Sequence, residues 1–319
     1  LSMGGAFSAI GDGSSGMYWN PAGLADVKNG QVYLESYNLF YRNNTSFLGN
    51  SFANPFNVSR VNGLGILYPV ATVRGSLVFG IGFNRIHHYD DLMSFSGYSN
   101  YNNGMEFPIN TDGQLLYYGF NKDVERYEKI MSNGARDLLT ISFGIALSPN
   151  LAGGISVSKM KGLENYDFEF LQKDIADNYQ QFPADFQSYE VFQSLKTKTE
   201  AWKLRGGVKY IYSPFQFGFS IALPYNVNVV ENHGTQERLI FDNADYSDTL
   251  EFGYYDYKVQ MPATMDLGIA FVTDLNLSFS IAYRLQDWSK MQFNLMDFSA
   301  QSEDYTIMSV ENDLIEQEY

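Results

Sequence analysis

The chain has 319 residues, a formal charge of −15, 16% aromatic residues and no cysteine. The acidity argues against nucleic acid as a partner, because phosphate contacts need Lys and Arg. The missing thiols exclude disulfides, Cys-ligated zinc and thiol nucleophiles.

Residues 1–29 are rich in small side chains: Gly4-Gly5-Ala6-Phe7, then Ile10-Gly11-Asp12-Gly13, then Met17-Tyr18-Trp19-Asn20-Pro21-Ala22-Gly23-Leu24. Local propensity alone makes this a loop with an Asn-Pro turn. The chain opens on Leu1 without a signal-peptide pattern, so such a peptide is expected either to have been removed or to lie upstream of where the sequence begins.

Strands are expected at 31–41, 60–70, 75–88, 138–148, 151–162, 200–212, 214–228, 262–272 and 274–288, with a tenth starting near Tyr305. Their alternation has one form throughout. Leu139, Ile141, Phe143, Ile145 and Leu147 share one face, and Thr140, Ser142, Gly144, Ala146 and Ser148 the other. The same division separates Leu77, Phe79, Ile81 and Phe83 from Ser76, Val78, Gly80 and Gly82. A soluble sandwich would oppose its large residues with charges. Here the opposite face is Gly, Ser, Ala and Asn. That suits a membrane-spanning antiparallel up-and-down β-barrel whose large face meets lipid and whose small face packs on a plug or lines a lumen. No stretch approaches 18 apolar residues, so no helix is expected to span a membrane.

Short turns are expected at Ala71–Arg74, Pro149-Asn150, Ser213-Pro214 and Thr273-Asp274, with long acidic external loops at about 163–199 and 229–261. Glu164–Glu190 holds seven acids against Lys173, and Glu231–Asp256 seven against Arg238. Leu171, Ile175 and Tyr179 recur at helical spacing and predict a short amphipathic helix at the mouth. Nine or ten strands do not close a single-chain bacterial barrel that leaves no edge in lipid, and the tail Glu311–Tyr319 is acidic. The sequence is therefore expected to be a fragment lacking C-terminal strands.

The order of a Gly/Ala-rich start, the Asp12-Gly13 step, Asn20-Pro21-Ala22 and then a first strand resembles the hatch and first strand of the FadL/OmpP1/TodX family. Pro262-Ala263, Leu267-Gly268-Ile269-Ala270-Phe271 and Tyr283 with Asp287-Trp288-Ser289 resemble a hairpin of the same family. The resemblance implies a fourteen-stranded bacterial outer-membrane barrel, of which about two-thirds is present, with residues 1–29 as the plug and 30–319 as the incomplete barrel. It implies passive transport of hydrophobic small molecules, of the long-chain fatty acid or aromatic hydrocarbon type, with lateral exit into the membrane. Asn20, Pro21, Ala22 and Gly23 are the implied plug residues. A related PorV-like group serves protein secretion, and a protein partner is the alternative reading.

Gly80, Gly82 and Gly144 are candidate lumen-facing residues that leave space for the plug or ligand, or else serve tight packing and strand coiling. Arg85, Lys203, Arg205 and Lys209 are candidate lumenal cations by face. Outer-membrane lipid and lipopolysaccharide are expected partners; no cofactor or metal is expected. His87-His88 beside Asp90-Asp91 contains metal-ligand types, but neighbours on a strand point to opposite faces. His233 is expected in a solvated loop. With no Gly-x-Ser-x-Gly, no His-Glu-x-x-His and no phosphate loop, an enzyme is not expected.

Overall fold

The computed structural model describes residues 5–11, 13–111, 113–180, 185–242, 244–249, 252–273 and 277–318. The N-terminal segment forms α1 (Gly13–Tyr18) and a 3-10 turn, Pro21–Asp26. Strands follow: β1 (Gln31–Phe47), β2 (Asn50–Val70), β3 (Leu77–His88), β4 (Asp91–Ser99), β5 (Glu106–Thr111), β6 (Gln114–Gly119), β7 (Val124–Ser148) and β8 (Leu151–Lys173). The rest are β9 (Phe186–Tyr212), β10 (Phe215–Ala222), β11 (Tyr225–Phe241), β12 (Asp245–Thr249), β13 (Gly253–Met261), β14 (Thr264–Val272), β15 (Ser278–Gln286) and β16 (Gln292–Phe293), before α2 (Glu303–Glu318).

The fold is all-β. Fourteen strands form one antiparallel sheet with the path β1-β2-β3-β7-β8-β9-β10-β14-β15, and β5 pairs β6 separately. Each expected strand corresponds to a strand on this path, in chain order. β10 and β11 are two halves of one run along β9, interrupted at Leu223-Pro224, where proline cannot donate to the ladder. β13 and β14 continue alongside them in the same way.

Two expectations at the C-terminus and mouth are corrected. The segment from Tyr305 is helical, not a tenth strand: Glu303 and Asp304 stand in the first turn of α2, where carboxylates suit the positive end of the helix. Leu171 is the third-last residue of β8, and Ile175 and Tyr179 lie in no helix. The 4-residue spacing there is a strand end running into a turn.

The acidic excursions are also mostly strand rather than loop. β8 and β9 pair without interruption from Leu151↔Tyr210 to Lys173↔Ser188, and β11 and β13 occupy most of 229–261. Alternating Lys, Glu, Thr and Tyr residues pair across strands as well as apolar ones do. β1 likewise runs past 41 to a two-residue turn at Leu48-Gly49, both with positive φ (48° and 82°), the twist that a tight hairpin prefers. His233 is inside β11, stacked on Tyr255 with ring centroids 5.6 Å apart.

Beyond the apolar rows these extensions build their own core from Phe120, Val124, Phe186, Tyr189 and Phe241. The Phe120 and Phe186 rings stack at 4.6 Å. Burial there pushes the Tyr189 phenol up to about 12, reinforced by Glu237.

Candidate functional site

The register divides the sheet into two unlike faces. One face is rows of large apolar side chains: Ile81-Ile141-Val157-Leu204, then Phe79-Phe143-Ile155, then Val208-Phe219-Leu267-Tyr283. These are bare, with Tyr283 61% and Ile141 57% exposed. The other face is small and buried, and the N-terminal segment lies across it.

That segment crosses the strands one after another. Ser280 on β15 donates to the carbonyl of Ala6 at 2.7 Å. Gly218 and Gly268, paired across β10 and β14, both meet Ser8 and Ala9. Ser156 on β8 donates to the Met17 carbonyl at 3.0 Å, and Ser76 before β3 to that of Ala25 at 2.6 Å. Sheet hydroxyls thus satisfy carbonyls of a segment that has no ladder of its own, which a buried backbone requires.

Asn20-Pro21-Ala22-Gly23 is the centre of this contact, and all four are buried. Asn20 caps the 3-10 turn: its Oδ1 accepts from Ala22 N at 3.1 Å, and Pro21 occupies the first position, where no N–H is needed. The Asn20 amide nitrogen donates to the carbonyls of Ser8 at 2.7 Å and Val208 at 3.1 Å. The motif therefore begins a turn, ties two parts of the segment together and fastens both to β9.

A belt of glycines makes the close approach possible. A Cβ at Gly144 would stand 2.8 Å from the Pro21 carbonyl oxygen, and one at Gly154 would overlap the Pro21 carbonyl. At Gly80 it would meet Met17 Sδ at 3.2 Å, whereas Gly82 faces Tyr33 and not the N-terminal segment. Gly144, Gly154 and Gly207 are register partners in series across β7, β8 and β9.

Charge completes the seat. Asp266, 2% exposed, accepts from Arg205 at 2.5 Å and from Arg284 at 2.6 Å. Arg205 and Ser220 also donate to the Trp19 carbonyl, at 3.2 and 2.7 Å, Arg205 donates to the Ser220 hydroxyl at 2.8 Å, and Arg284 lies 4.9 Å over the Trp19 ring. Lys209 holds Asp26 at 2.5 Å.

Of the four candidate cations, Arg205 and Lys209 thus touch the segment directly. Lys203 lines a small cavity with Met17 and Tyr18 and lies 4.9 Å over the Tyr225 ring. Arg85 is a correction: it stands on the large-residue face and pairs with Asp137 at 2.8 Å, because its parity is that of Phe79 and Ile81. His87 packs edge-on to Tyr89 and His88 lies near Tyr37.

Sequence reasoning missed Asp266 and Arg284. Their signal was present: a charge of each sign on the small face of strands otherwise apolar demands a buried partner. The assembly holds the segment through many modest polar contacts. Comparison with protein-family models, curated proteins and solved structures finds no match for this chain.

Proposed function

We propose that the chain is the wall and plug of an outer-membrane barrel that passes hydrophobic small molecules by diffusion. The observation that carries this reading is the pairing of a bare apolar face with a small, polar face occupied by the chain's own N-terminus. A contiguous apolar face of this size is untenable in water. Between Tyr212 and Trp202 the outward rows of β9 span ten residues, roughly 33 Å along the strand. Tilted about 40°, that is roughly 25 Å of height, the thickness of a barrel's apolar band. The tight turns lie at one end of the rows and the extended strands at the other, as periplasmic and external ends do.

In this reading residues 5–27 are the plug, and the glycine belt and the Asp266 cluster are its seat. An apolar solute gains about 25 cal/mol per Å² on leaving water, so capture is downhill and movement of the plug is the gate. Extraction of the purified protein followed by mass spectrometry tests it: a co-purified hydrophobic molecule supports transport, and an empty barrel in stable complex with a secreted protein opposes it. The second reading, a secretion or assembly partner, draws on one observation. The strand extensions form a cored platform beyond the apolar rows, with Tyr246, Tyr254 and Tyr255 exposed.

A further inference from the structure

Five lysines stand on one face of the sheet, immediately beyond the apolar rows. Lys159 and Lys161 come from β8, Lys196 and Lys198 from β9, and Lys258 from β13. The register runs Lys161↔Glu200↔Asn228↔Lys258 across four adjacent strands. One row nearer the apolar face, Lys159 is opposite Trp202. These positions share the parity of Ile155, Val157 and Leu204, so they face outward, away from the N-terminal segment. The carboxylates on the same face are Glu200, Asp167 and Asp256, with Asp137 opposite Lys161 but held by Arg85 at 2.8 Å, and Glu169 held by Lys129 at 3.0 Å. A local excess of cations is unexpected in a chain of net charge −15 with only 21 Lys and Arg.

The cluster surrounds a cavity of about 370 Å³ lined by Lys159, Glu200, Trp202, Asn226, Asn228 and Lys258. Glu200 is shared at long range between Lys159 (3.5 Å) and Lys161 (3.6 Å), which leaves both ammonium groups with donors to spare. Lys159 Nζ lies 5.6 Å over the Trp202 ring, itself 63% exposed. Ammonium groups and an aromatic ring at the edge of an apolar band are the pairing that anchors a wall at headgroup depth. Below the cavity Val157 and Leu204 continue the surface on which an acyl chain would lie.

We propose that this cavity seats the phosphate headgroup of an anionic lipid in the leaflet at the long-strand end. Lys159 and Lys258 neutralise the phosphate, Asn226 and Asn228 donate to its oxygens, and Trp202 marks the boundary with the acyl region. The proposal rests on the membrane reading above. Continuity with the apolar rows selects a lipid over free phosphate.

The test is native mass spectrometry of the detergent-solubilised full chain offered equal amounts of phosphatidylglycerol and phosphatidylcholine with matched acyl chains. The expected result is a preference of about tenfold for the anionic lipid, in line with the severalfold gain per lysine at an anionic surface. Lys159→Gln with Lys258→Gln reduces it to near parity, and Lys122→Gln with Lys290→Gln leaves it intact. Millimolar inorganic phosphate alone leaves the preference within twofold; if it abolishes it, the site is a free-phosphate site and the proposal fails. Equal retention of both lipids by the unaltered protein overturns the headgroup seat while the membrane reading stands. Retention of neither overturns both.

Discussion

Asn20 and Val208 are 188 residues apart in sequence, yet the Asn20 amide donates to the Val208 carbonyl at 3.1 Å. The bond joins the N-terminal segment to a strand in the middle of the sheet. The same amide nitrogen donates to the Ser8 carbonyl, and the Asn20 Oδ1 accepts from Ala22 N to cap the turn that begins at Pro21. One side chain thus sets both the shape of the N-terminal segment and its place.

Asn20→Ala therefore removes three hydrogen bonds, two of them buried, those to the Ser8 carbonyl and from the Ala22 N–H, at about 1–3 kcal/mol for each buried group left unsatisfied. Hydrogen exchange should show residues 13–26 losing protection while β7 and β8 keep theirs. Unchanged protection of residues 13–26 would refute the role given to Asn20.

Gly154→Ala and Gly206→Ala form a matched pair. A methyl group at Gly154 overlaps the Pro21 carbonyl, whereas nothing lies within 4 Å of one at Gly206. Overpacking costs typically 1–3 kcal/mol. The first variant should unseat the plug and make proteoliposomes leaky, with strand content preserved by circular dichroism; the second should be silent.

Asp266→Ala leaves Arg205 and Arg284 facing each other with no carboxylate between them. Stranding a buried charge costs roughly 3–5 kcal/mol. The urea midpoint of the variant should fall further than that of a triple change of Asp266, Arg205 and Arg284 to Met. A smaller effect for the single change would mean the cluster is not buried as a unit.

The outer core should respond to alkali. Folded Tyr189 has its pKa raised to about 12, above the roughly 10 of an unfolded tyrosine. The stability it contributes is complete below pH 10 and declines as pH rises through 12. Absorbance at phenolate wavelengths should show a late step above the ordinary phenol range as the extensions loosen, and Tyr189→Phe should reduce that step by one phenol.

Much of this architecture was legible in the residues. The strict split between Leu139-Ile141-Phe143 and Thr140-Ser142-Gly144 identifies strand and face together, since period two has no helical equivalent. The length of the strands was not legible. Beyond Gly162 or Lys198 both faces are polar or mixed, and pairing rather than periodicity holds them. Asn20-Pro21-Ala22 was readable as a turn, but its seat was not, because Gly154, Gly207 and Asp266 acquire meaning only when register brings their strands side by side. The amphipathic spacing at Leu171, Ile175 and Tyr179 misled for the complementary reason: three positions cannot distinguish a helix from a strand that ends.

The central claim, that the seated segment is a movable plug in a path for apolar molecules, is tested most directly by locking it. The chain has no cysteine, so Ala9→Cys with Gly268→Cys introduces a single pair. The two Cβ atoms would lie 3.2 Å apart, just under the usual 3.5–4.5 Å of a disulfide. Uptake of an apolar fluorescent probe by bacterial cells producing this variant should be rapid when the pair is reduced. When it is oxidised, uptake should fall to the level of cells lacking the protein. Equal uptake in the oxidised and reduced states would contradict the account.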